Sequence, residues 1–273
     1  MSSLSIDSSV RILVLGAHPD DAEFHAGAFL ARHASLGATI RIISVTDGRS
    51  GHQSIPSPEL VEIRRKEAAA AGAVIQSEYV TWDFPDGSLT PSLDVRWAII
   101  RELRTFQPEL VLTHRTIDYH PDHRAVAQAV QDASYMVRVP KVVPDVPPVE
   151  REPIVAAMND RFTRPCPFRA DYVIDGTNEF DKMLDMMDCH QSQFYDWMPW
   201  IDRAAPPSSM VRADRLAWLK EWFLQFNEYR TNAFWNSTWG TKPVHVEAFE
   251  ISEYAGVLSS EQSQRLFPGA HSK

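Results

Sequence analysis

The 273-residue chain is 44% hydrophobic and 23% charged, the balance of a globular protein with a sizeable core, built as one large α/β domain or two small ones. Its formal net charge of −9 leaves no basic surplus to neutralise phosphates, which argues against nucleic-acid binding and against anionic membrane surfaces. Two cysteines, Cys166 and Cys189, are too few for a disulfide framework and read as free thiols of a reducing cytoplasm. The opening MSSLSIDSSV lacks a cationic start and an apolar run, so no signal peptide is expected, and residues 1–10 read as a flexible leader. No stretch approaches the roughly 18 consecutive apolar residues of a membrane span.

The first half alternates strands with helices. RILVLGAH (Arg11–His18) is an almost continuous apolar run, as a buried parallel strand requires. EFHAGAFLARHASLG then shows helical spacing and stops at Gly37, a plausible C-cap. TIRIISVTDG (Thr39–Gly48) predicts the second strand and SPELVEIRRKEAAAAGA the second helix, with Ser57 to cap it and Pro58 in its first turn. EYVTWDF, LDVRWAIIRELRTF, ELVLTH and HRAVAQAVQDASYM continue the alternation as strand, helix, strand and helix. This order implies a Rossmann-like, mostly parallel sheet with right-handed crossovers and helices on both faces. Ligands of such sheets bind beyond the carboxyl ends of the strands. A nucleotide-binding Rossmann protein is disfavoured, because the turn after the first strand carries no GxGxxG.

After Met136 the composition changes. VPKVVPDVPPVEREP is too proline-rich for a regular element and reads as a stiff surface connection. ADYVIDG looks fit to extend the same sheet, so residues 11–273 are taken as a single domain with an elaborated C-terminal half. NEFDKMLDMMDCHQSQF predicts a helix with a Met and Leu stripe. RADRLAWLKEWFLQFNEYR predicts another, whose aromatic residues make a packing face, a subunit contact or a pocket wall; a homo-oligomer is expected from it.

Two segments carry ligand-type side chains. The first strand runs into His18-Pro19-Asp20-Asp21, an imidazole and two carboxylates suited to zinc or a similar divalent ion. Asp20 or Asp21 would serve equally as a plain helix N-cap. The fourth strand ends in LTHRTIDYHPDHRAV, which brings His114, Asp118, His120, Asp122 and His123 to the same rim of the sheet. An HPD triplet occurs in both clusters, although HxxH alone is a weak pattern.

AHPDDAEFHAGAFL together with HPDHRAV resembles the LmbE-like, or PIG-L, family of zinc-dependent N-deacetylases, which remove acetyl from N-acetylglucosamine-type sugars. TDGRSG, IRRKEAAAAG, DFPDGSL, HQSQF and VEAFEI extend the resemblance in family order from about Arg11 to Ile251. The resemblance implies one zinc per chain, with other divalent metals possible, held by His18, Asp21 and His123. It also implies Asp20 as general base and His120 as the group that stabilises an oxyanion, as imidazolium, or protonates the leaving amine. Asp122 is implied to orient or tune His120, and Arg64 to contact the substrate. Asp47 and Arg49, on the loop after the second strand, are further candidates for sugar contact, with turn formation the alternative for Asp47; His190 is a candidate near the pocket or a satisfied core group. Asp86-Gly87 read as a turn and Glu23 as a capping-box acid.

Three departures from the family pattern stand out: Gly27-Ala28 where two glycines are usual, His25 where a small residue is usual, and Arg49 where many members carry an acid. The implied protein is a cytoplasmic deacetylase acting on a small N-acetylated sugar, with no nucleic-acid or membrane partner. A thiol-conjugate amidase on the same metal site and a non-catalytic sugar-binding protein are the alternatives.

Overall fold

In the computed structural model, which describes residues 10–272, successive residues of strand β1 (Arg11–Gly16) are shared between two cores. Ile12 and Val14 pack with Phe29, Ile40, Ile42 and Ala68 on one face of the sheet. Leu13 and Leu15 pack with Ile43, Val45, Ile99 and Val130 on the other. The two-residue period of a strand and the unbroken apolar run of β1 together force this double burial. Helices α1 (Asp21–Ser35) and α2 (Ser57–Val74) therefore cover one face, and α3 (Leu93–Phe106) and α4 (Pro121–Met136) the other. The expected leader, residues 1–10, lies outside the described residues apart from Val10.

Eight strands form one sheet in the order β3 (Glu78–Phe84), β2 (Thr39–Thr46), β1, β4 (Leu110–Thr113), β5 (Ile154–Met158), β7 (Val246–Ile251), β6 (Tyr172–Asp175) and β8 (His271–Ser272). The first five run parallel. Strand β7 is antiparallel to both its neighbours, and β8 to β6. The Rossmann-like, mostly parallel sheet read from the sequence is thus the observed one, with ADYVIDG and VEAFEI joining it as β6 and β7. Chain order reverses between β1 and β4, so the crevice beyond their carboxyl ends is the topological switch point where such sheets bind ligands.

The proline-rich tract forms no regular element, and one side chain binds several carbonyls within it and just before its start. Arg104, buried on α3, donates to the carbonyls of Met136, Val137, Val139, Val142, Val143 and Val146. A guanidinium with several donors supplies here what a helix or sheet ladder supplies elsewhere.

The helix expected over residues 178–194 is instead divided. Helix α5 (Phe180–Met187) stops, and the chain resumes as a π-helical turn, Ser192–Trp197, leading into α6 (Met198–Ile201). Helix α7 (Arg212–Phe234) buries Leu219 and Phe223 against Phe180, Leu184 and Phe194, so part of its aromatic surface is a packing face. Helix α8 (Ser260–Leu266) begins with a capping box made by Ser259 and Gln262. No helix among the described residues is long and apolar enough to cross a membrane.

Candidate active site

The turn from β1 into α1 holds its two aspartates in different roles. Asp20 has a φ of 145°, a sparsely populated conformation for a residue with a side chain. Its amide donates to the Tyr79 hydroxyl at 3.1 Å, and its side chain makes no capping bond to the helix. Asp20 Oδ2 instead accepts from Gln193 Nε2 at 2.7 Å. Asp21 turns back, and its Oδ2 accepts from the His18 amide at 2.7 Å. Gly16 makes room for this turn, since a Cβ there would lie 3.0 Å from that of Asp21. Simple helix capping by Asp20 is therefore excluded.

Three side chains from two strand ends converge beside Asp20. His18 Nδ1 and His123 Nε2 lie 3.2 Å apart. Asp21 offers Oδ1 at 3.4 Å from His123 Nε2 and Oδ2 at 3.6 Å from His18 Nδ1. Ligand atoms about 2.0–2.1 Å from a tetrahedral ion sit roughly 3.3 Å from one another, so these separations fit one divalent cation. Overlapping donor groups also form from His18, His120 and His123, from Asp21, His114 and His123, and from His18, Asp86 and Asp122. His114 stacks on His123 with centroids 3.9 Å apart and places Nε2 at 3.1 Å from Asp21 Oδ2.

The outer nitrogens of the two histidines face carboxylates. His123 Nδ1 is 3.1 Å from Asp118 Oδ1, and His18 Nε2 is 3.2 Å from Asp86 Oδ1 and 3.4 Å from Asp122 Oδ2. Such partners orient metal-binding imidazoles and raise their basicity. Burial alone would lower both imidazoles, but Asp122, Asp21 and Asp86 hold His18 well above its usual range. Against the same effect of burial, Asp21 and Asp118 hold His123 at about 9. Burial would raise Asp21, yet His123 and His114 hold it well below the usual carboxylate range. A pocket that concentrates protons in this way suits a cation, which would displace them on binding. Burial, with the Asp21 carboxylate beside it, pushes Asp20 up to about 7.

Two of the implied residues make contacts that the resemblance does not imply. Asp122 is fully buried; its Oδ2 and Oδ1 accept from the Gly87 and Leu89 amides at 2.7 and 3.1 Å, and its side chain faces His18 rather than His120. His120 is the N-cap of α4, and its Nδ1 accepts from the Asp122 amide at 3.2 Å, which fixes the N–H on Nε2. Burial and the neighbouring His18 and His123 push His120 down to about 4. With Nδ1 accepting and its pKa lowered, the ring is suited to donate from Nε2. Asp86 lies in the turn that the DG pair predicts and also points at His18, a contact that a turn signal does not reveal. Gln193 was missed because its segment reads as an ordinary helix.

A cleft of about 460 Å³ opens over these groups, within the range of small-molecule sites. His18, Asp20, Asp21, His120, His123, Arg64 and Gln193 line it. Arg64 is buried on α2 and donates to the Gly51 carbonyl at 2.8 Å, with its positive charge beside Asp20. Gly48, at φ 70°, lets this loop press against Pro19 and Arg64, where a Cβ would meet atoms of both within 3.3 Å. Asp47 and Arg49 do not line the cleft. They pair with each other, and Asp47 Oδ1 also accepts from the Arg49 amide at 3.1 Å, so they shape the loop. His190 is completely buried, with Nε2 at 3.2 Å from Glu23 Oε1, and lies behind the cleft wall. Glu23 faces that histidine rather than capping α1.

Fold and site together define an α/β protein with a candidate metal-binding cleft at the switch point of its sheet. Residues 13–134 match the family model described as PIG-L: GlcNAc-PI de-N-acetylase. It is 25% identical over 193 residues to the 4-oxalmesaconate hydratase of Pseudomonas putida, across 68% of this chain and 74% of that protein. It is 23% identical over 207 residues to the diacetylchitobiose deacetylase of Thermococcus kodakarensis, across 70% of this chain and 74% of the relative. The fold matches the structure of N,N'-diacetylchitobiose deacetylase from Pyrococcus horikoshii with a TM-score of 0.71 and 20% identity, covering 90% of this chain and 85% of that one.

Proposed function

We propose that the chain is a zinc-dependent N-deacetylase that removes acetyl from an N-acetylglucosamine-type sugar or glycoconjugate, working as a soluble cytoplasmic enzyme. The carrying observation is the convergence of His18 Nδ1, Asp21 and His123 Nε2 beside the carboxylate of Asp20. A divalent ion held by His18, Asp21 and His123 would act as a Lewis acid and lower the pKa of a water to roughly 7.

The chain's own residues manage the protons and the charge. Asp20, fixed by Gln193, takes a proton from water as its oxygen bonds to the acetyl carbon. The neutral His120 donates its Nε2–H to the acetyl oxygen as negative charge develops there. When the C–N bond breaks, Asp20 returns its proton to the amine, and acetate leaves with the water's oxygen. Asp118 and Asp122 hold His123 and His18 in register. Arg64 balances the charge of Asp20 beneath the sugar.

Metal analysis of the purified protein, paired with acetate and amine release from a panel of N-acetylglucosaminides, tests this reading. Metal-loaded protein that releases neither product from any of them would overturn it. The hydratase relative in Pseudomonas putida supports a second reading, in which the same base delivers water to a carbon–carbon double bond of a carboxylated substrate. Loss of dienoate absorbance without amine release would identify it. A thiol-conjugate amidase would release an aminosugar with a larger acyl product than acetate.

A further inference from the structure

We propose that the cleft continues into a subsite for a flat, apolar aglycone, so that the preferred substrate is an N-acetylaminosugar carrying an aryl or similarly planar group. The proposal rests on the deacetylase reading and deepens it. The cleft that holds the imidazoles and carboxylates is also lined by Phe24, Tyr119, Phe162, Trp197, Trp222 and Phe226.

These aromatic residues fall into two contact groups. Trp222 and Phe226, a turn apart on α7, stack at 5.6 Å with an interplanar angle of 20°, and Phe24 of α1 lies edge-on to Phe226 at 5.6 Å. Tyr119 and Phe162 lie 6.1 Å apart. Tyr119 is also 5.7 Å from both His120 and His123, so the second group begins at the candidate reacting groups. Folding does not bury these rings completely: Tyr119 is 68% and Phe226 40% exposed. Apolar rings left open in the same cleft as the polar groups mark a surface built for a ligand. Near-parallel neighbouring rings favour a planar group, which adds to the stack, over a flexible alkyl chain. Arg161, 5.8 Å over the Phe226 ring, closes the rim with a cation that strengthens the stack.

The test compares metal-loaded protein on methyl, phenyl and 2-naphthyl glycosides of N-acetylglucosamine, with acetate release as readout and binding of the same glycosides to metal-free protein by calorimetry. The naphthyl glycoside is expected to exceed the methyl glycoside in kcat/KM by about tenfold or more, carried by KM, with the same order in affinity. Trp222→Ala and the surface variant Phe226→Ala are expected to bring the naphthyl-to-methyl ratio toward one, and Trp222→Phe to restore part of it. Acetate release with no aryl preference removes the subsite and leaves the deacetylase reading standing. Aryl preference in binding without acetate release keeps the subsite and removes that reading. A ratio unchanged in Phe226→Ala overturns the assignment of these rings, and absence of binding and turnover overturns both.

Discussion

Gln193 reaches across 173 positions of sequence to donate its side-chain amide to Asp20 Oδ2 at 2.7 Å, and both residues are buried in the wall of the cleft. Asp20 has no capping role in α1 to hold it, and the Gln193 amide is its side-chain hydrogen bond. Replacing Gln193 by Ala leaves the carboxylate less well aimed. The expected outcome is a fall in kcat of about ten- to a hundredfold with metal content unchanged, since misplaced catalytic groups cost rates of this order. Gln193→Glu places a second carboxylate against the first and is expected to be worse than Ala. Kinetics and metal analysis on the same preparations check both; a Gln193→Ala enzyme of full kcat would reduce the contact to packing.

Asp20 itself is separable from the metal donors by one substitution. Asp20→Asn keeps the shape and an acceptor oxygen but cannot take a proton. Turnover should drop by about a hundred- to ten-thousandfold, the usual contribution of a general base, while bound metal stays near one per chain. Asp21→Asn and His123→Ala are expected to lose the metal as well, because each removes one of three converging donors. Retained turnover in Asp20→Asn would take Asp20 out of the proton path.

Asp122 faces His18 rather than His120, which changes what its removal should do. Asp122→Asn is expected to weaken metal affinity by about ten- to a hundredfold, the usual effect of losing the carboxylate behind a ligand histidine. Competition titration with a chelator measures it. Normal metal affinity combined with a displaced pH profile would return Asp122 to the role of tuning His120.

The fold of the first half was legible because its signals are local and mutually consistent. Apolar runs such as that of β1 must be buried on both faces, and helical spacing followed by Gly37 predicts the end of α1 to within two residues: the C-cap is Leu36, and Gly37 takes the positive φ of 84° just beyond it. Strand β5 was not legible: Ile154–Met158 is five residues directly after a proline-rich tract, and its place in the sheet is set by pairing with β4. The division of the helix at residues 188–191 was hidden because the Met and Leu spacing of α5 runs straight into HQSQF. At the site, the two HPD clusters pointed to one rim, and His18, Asp21 and His123 do converge there. The spacing of ligand types shows in sequence, whereas the partner of each outer nitrogen depends on loop geometry. Asp86 does sit in the turn that its DG pair predicts and also faces His18, the Asp122 side chain lies beside His18, and Asp47 and Arg49 pair with each other instead of lining the cleft.

His33 offers a test of the fold away from the site. It is 1% exposed on the last turn of α1, and its Nε2 donates to the Leu266 carbonyl at 3.1 Å, tying α1 to α8. Burial pushes its pKa down from 6.5 to about 4, outweighing the opposing effect of that carbonyl. The unfolded chain therefore binds a proton on this imidazole between about pH 6.5 and 4 while the folded chain does not. Stability from the neutral form is fully present above pH 6.5 and is lost as pH falls through that window, by up to about 3 kcal/mol for this group. His33→Gln keeps a donor near Leu266 but has no proton to gain. At pH 8 the variant should be less stable than the wild type through poorer packing, and by pH 4.5 most of that deficit should vanish or reverse. Urea unfolding of both metal-free proteins at the two pH values measures the difference, and parallel stability curves would show that His33 is not the group that titrates.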